Sequence, residues 1–123
     1  MLVLIILLLF VDITSLIKMY EQLLCHLTGD YLLQTKWMAQ NKEKNIKAAL
    51  FHCVTYTVPF VFITQNIVCL FLIFFLHLVV DYTGVVKKIS NNKMGNSPDY
   101  LKSFVAIARD NTVHLLINYF ILR

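Results

Sequence analysis

Charge is what this sequence has least of. Only 15% of its 123 residues are Asp, Glu, Lys or Arg, against roughly 25% in soluble domains. From Ala48 to Val80 there is not one such residue. Glycine is equally sparse, with three in the chain. No Gly-rich phosphate loop, Ser-centred nucleophile elbow or HExxH helix occurs. The three cysteines, Cys25, Cys53 and Cys69, lie in apolar segments without paired spacing. They read as small buried hydrophobes rather than a disulfide or a thiolate metal site. The formal net charge is +4, but the basic residues gather in two loops rather than on one face. That distribution excludes a nucleic-acid surface and points to membrane orientation.

What is present is apolar: 59% of the chain, with a mean hydropathy of +0.69. A chain of this length makes one domain. Its uncharged run is long enough for two membrane-spanning helices back to back. The expected architecture is all-α, an integral membrane bundle of four core transmembrane helices plus an N-terminal apolar helix. Residues 1–18 form that leader, and residues 19–123 form a single helical domain. The leader lacks the basic start and small-residue cleavage site of a signal peptide, and Met19 offers an alternative start.

The four core helices are expected at about Tyr20 to Thr35, Ala48 to Ile63 with a kink at Pro59, from after a tight turn at Thr64, Gln65 and Asn66 to near Tyr82 and Gly84, and Leu101 to Leu122. Polar segments 36–47 and 85–100 read as loops, with Gly95 and Pro98 marking the second. Lys36, Lys42, Lys44 and Lys47 lie in the first, while Lys87, Lys88, Lys93 and Lys102 lie in the 85–102 segment. The positive-inside rule puts both on the cytoplasmic side of an inner membrane. On this reading the lysines are topology signals rather than ligand contacts.

Against this apolar background stand four histidines, His26, His52, His77 and His114. Three have an aspartate four residues away, in the pairs His26/Asp30, His77/Asp81 and Asp110/His114. That spacing sends both side chains off one helix face. Counted from the lysine loops, all four helices present these residues at a similar depth. Apolar packing requires no such coincidence. An ionised Asp at a membrane-helix centre costs about 2.5–3.5 kcal/mol, so the aspartates need partners. Carboxylate and neutral imidazole suit a divalent cation, zinc first, with manganese or iron also compatible. The metal ligands expected are His26, Asp30, His77, Asp81, Asp110 and His114. His52 and Asp110 are the candidate catalytic groups, and Gln34 and Asn118 the candidate supporting donors. A lone His, or a single pair, is ordinarily a hydrogen-bonded structural group; the matched set argues for a site.

The stretch HLTGDYLLQTKWMAQNK resembles the opening of an uncharacterised bacterial and phage membrane family, domain of unknown function 3307. In that family an H-x-x-x-D-[FY]-x-x-Q helix precedes a lone His, an H-x-x-x-D helix with a trailing Lys, and a D-x-x-x-H helix. The order here is His26, Asp30 and Gln34, then His52, then His77, Asp81 and Lys87 or Lys88, then Asp110 and His114. Asn111 departs from the Gln expected there. The resemblance covers roughly residues 20 to 120. It implies a small polytopic inner-membrane protein and brings no established activity; a more distant likeness to metal-dependent membrane hydrolases is analogy. The functional expectation is a metal-dependent hydrolase acting on a lipid or lipid-linked substrate. The alternatives are a non-enzymatic proton or metal conduit and a structural or interaction protein. Membrane lipids are the expected partners, with a homo-oligomer left open.

Overall fold

A computed structural model describes residues 13–94 and 98–123, and within these the chain is helical without strands. Helix α1 spans Ile13–Leu27 and passes into a π-helical turn, Thr28–Leu32. Helices α2 (Lys36–Asn41) and α3 (Ile46–Thr57) follow. A 3-10 turn, Val58–Phe62, leads to α4 (Ile67–Thr83), α5 (Val85–Met94) and α6 (Asp99–Leu122). Residues 1–12, most of the expected leader, lie outside the described residues, as does Gly95; α1 runs without interruption through position 18.

Local chemistry sets these boundaries. The side chains of Thr35, Asn45 and Asn66 accept backbone N–H bonds at the starts of α2, α3 and α4, satisfying donors that have no intrahelical partner. Gly84 ends α4 in the left-handed region at φ 58°, where a Cβ is unfavourable. The segments 36–47 and 85–100, read from sequence as loops, instead contain α2 and α5. Polar composition did not reveal their helicity, because a capped amphipathic turn also reads as polar.

The expected membrane spans are not supported: no helix among the described residues is long and apolar enough to cross a membrane. Pro59 does more than kink its helix. Having no N–H to donate, it sits where α3 ends at Thr57 and the tighter turn begins. Helix α4, with 17 residues, reaches about 26 Å at 1.5 Å per residue, short of a core about 30 Å thick. Helix α6 is longer but carries Asp99, Lys102, Arg109 and Asp110.

Helix α3 packs on α4, α4 on α6, α6 on α1, and α5 lies along α6. A small apolar core of Cys25, Tyr56, Phe60 and Ile73 is flanked by Ile63, Leu70, Ile121 and Leu122. Burial is otherwise inverted. All four histidines, Asp30, Asp81, Gln22, Ser90 and Asn118 are buried, while Leu32, Phe62, Ile67, Phe104 and Phe120 are each at least two-thirds exposed.

Candidate metal centre

The interior is organised around the rings of Tyr56 and His77, stacked with centroids 3.6 Å apart and planes 16° from parallel. Tyr56 is one turn beyond His52 on α3, and His77 comes from α4, so the stack fixes the two helices relative to each other. Gly29 in the π turn lets the first element approach this ring. A Cβ there would lie 2.6 Å from Tyr56 Cδ2 and 2.9 Å from Tyr56 Cα. The π turn closes through Leu33 N–H to the Thr28 carbonyl at 2.9 Å, and such turns are frequent at functional sites. Here it carries Asp30 inward, where it is 7% exposed.

Three donor atoms form a nearly equilateral triangle. His52 Nε2 and His77 Nε2 are 3.0 Å apart, and Asp81 Oδ2 lies 3.0 Å from the first and 3.1 Å from the second. Asp30 Oδ1 approaches His52 Nε2 to 3.2 Å and His77 Nε2 to 3.6 Å. His114 Nε2 stands 3.5 Å from Asp81 Oδ1. His114 Nε2 is buried without a hydrogen-bond partner, and Asp30 Oδ1 has no nearer contact than His52. Two neighbouring triads therefore share His77: Asp30, His52 and His77, and His77, Asp81 and His114. An ion about 2.0–2.2 Å from N and O donors separates adjacent donors by about 2.8–3.6 Å, from right-angled to tetrahedral placement. The observed spacings fall in that range, and the unpartnered lone pair is what a cation would satisfy.

Protonation fits the same picture. Burial brings the His77 imidazole down to about 4, which leaves it neutral at neutral pH with a lone pair available. Burial also works to lower His52, but Asp30 and Asp81 outweigh it and raise it. For Asp81 burial acts upward; His52, His77 and Lys42 prevail and hold the carboxyl well below its usual range. Nδ1 of both His52 and His77 lacks a partner, so neither ring is oriented from its far nitrogen, unlike most metal-bound imidazoles.

The remaining expected residues take different places. His26 has both nitrogens engaged. Asn118 Nδ2 donates to Tyr56 Oη at 2.7 Å, so the Tyr56 hydroxyl donates to His26 Nδ1 at 3.0 Å. His26 Nε2–H then donates to Asn111 Oδ1 at 3.1 Å, and Asn111 donates to the Tyr31 hydroxyl at 2.8 Å. Asn118 thus acts through Tyr56. Gln34 donates to the Asp30 carbonyl at 3.0 Å. Asp110, 37% exposed at its side chain, stands 3.6 Å from His114 Nδ1 and belongs to neither triad. It lines a cavity of about 510 Å³ together with Asp30, Asp81, Tyr31 and Gln34.

Lys42 is the residue that sequence reasoning misplaced. Its ammonium lies 2.7 Å from Asp81 Oδ2 and 3.5 Å from His52 Nε2. Burial acts to lower it, but Asp81 and Asp30 outweigh that and raise it. Seven loop lysines of the same type surround it in the sequence count, and only the turn after α2 sends this one inward. The cysteines are free, and none lies among these donors.

The family model for DUF3307, a protein of unknown function, matches residues 17–121. No curated protein and no solved structure matches the chain.

Proposed function

The chain belongs to the DUF3307 family, whose activity is unknown, and from its site we propose a metal-dependent hydrolase working at a lipid surface. The observation that carries this reading is the convergence of buried imidazole and carboxylate donors in two triads, of which the carboxylates Asp30 and Asp81 also line an open cavity. His52, His77 and Asp81 would hold a divalent ion, zinc by preference, with Asp30 and His114 beside it for a second ion or for orientation. Such an ion supplies a Lewis acid and a bound water of lowered pKa. Asp110, at the cavity wall and partly exposed, is placed to take a proton from a nucleophilic water. His26 holds Tyr56 and Asn111 in register and, with both nitrogens engaged, acts as a positioning residue. The exposed apolar shell favours a lipid or lipid-linked substrate entering from a bilayer.

Metal content decides the matter. Protein purified in mild detergent and assayed by mass spectrometry should carry one or two equivalents of zinc, manganese or iron. His77→Ala and Asp81→Asn should lose it while retaining their helical circular dichroism. Protein that is metal-free, folded and not reloaded by added ions would overturn the reading. One contact favours a second reading: the 2.7 Å Lys42–Asp81 pair already gives the cluster a cation. On that reading the His/Asp residues form a structural polar network, and metal stays absent.

A further inference from the structure

A second cavity of about 430 Å³ lies between α5 and α6 and shares no lining residue with the first. Val86, Ile89, Val105 and Val113 make its walls apolar. Two of the residues that line it carry polar atoms without a hydrogen-bond partner. Ser90 is completely buried, and its hydroxyl has no hydrogen-bond partner. Arg109 has a buried guanidinium nitrogen, Nη1, that is equally unpartnered. Asp110, its neighbour in sequence, diverges by about 100° on the helix and lines the other cavity.

An unpaired guanidinium nitrogen and a free hydroxyl in an apolar cleft are costly unless something accepts their hydrogens. The planar fork of Arg matches the oxygens of a phosphate or carboxylate, and its charge strengthens those bonds. The surroundings specify the rest of the ligand. Ile89, about half exposed, is among the apolar residues that line the cleft, so the molecule that brings the anion also meets apolar surface.

We propose that this cleft binds the anionic headgroup of a membrane lipid, with Arg109 and Ser90 holding its oxyanion and the apolar walls receiving the start of its acyl chains. The site is separate from the metal centre and does not depend on it. The full chain in non-ionic detergent is offered equal amounts of phosphatidylglycerol and phosphatidylcholine, and bound lipid is read by native mass spectrometry. Phosphatidylglycerol should be retained preferentially. Arg109→Gln should reduce that retention about tenfold, the order expected for a lost charge-assisted hydrogen bond, and Arg109→Lys should reduce it less. Lys44→Gln, an exposed loop lysine, should leave it unchanged. Ala108→Phe, which fills the cleft without altering charge, should reproduce the loss and serves if Arg109→Gln does not fold. Equal retention of the two lipids would overturn the proposal, as would an equal loss in Lys44→Gln. Displacement of the lipid by inorganic phosphate at comparable concentration would also overturn it, by showing a site for free anions.

Discussion

Gly29→Ala tests the close approach on which the candidate centre is built. In an ordinary helix this change stabilises by about 1 kcal/mol through backbone propensity. Here the new methyl would lie 2.6 Å from Tyr56 Cδ2 and 2.9 Å from Tyr56 Cα. The ring could rotate away only by leaving its 3.6 Å stack on His77, and the Cα could move only with α3. Overpacking of this kind costs about 1–3 kcal/mol, and a backbone contact places it in the upper part of that range. The net expectation is a loss of about 1–2 kcal/mol, or about 4–8 °C in melting temperature for a domain of this size. Thermal melts followed by circular dichroism in one detergent would measure it. Because Tyr56 orients His77, bound metal should fall in the same variant. A melting temperature that rises by several degrees, with metal content intact, would refute the packing described here.

Two further substitutions separate the network from the centre. Tyr56→Phe keeps the ring stack but strips the hydroxyl that joins Asn118 to His26. It should cost about 1–3 kcal/mol in thermal stability while leaving metal stoichiometry unchanged. Lys42→Met removes the cation from a buried Asp81. Metal-free protein should lose about 3 kcal/mol, the low end for breaking a buried pair, because His52 and His77 remain beside the carboxylate. Added zinc should narrow that difference in calorimetry, since the ion would take over the missing charge.

The sequence by itself determined the helical class, the turn at residues 64–66, the stop at Gly84, the long last helix and the family. It also picked out all four histidines and three aspartates, since i, i+4 spacing on a helix is fixed by local geometry and polar groups are conspicuous in an apolar chain. Tertiary structure alone decided which of them meet. His52, unpaired in sequence, became central because α3 packs against α4 and brings its Nε2 to Asp30, His77 and Asp81 together. His26, paired in sequence, was drawn into hydrogen bonds with Tyr56 and Asn111 from two other helices. Lys42 looked like any loop lysine until the turn after α2 aimed it at Asp81. Hydropathy gave the apolar content and nearly the bounds of α4 and α6, but not the end of α3 at Thr57, just before Pro59. Spacing along a chain records one helix face at a time; a site assembled from four helices depends on how those faces are packed.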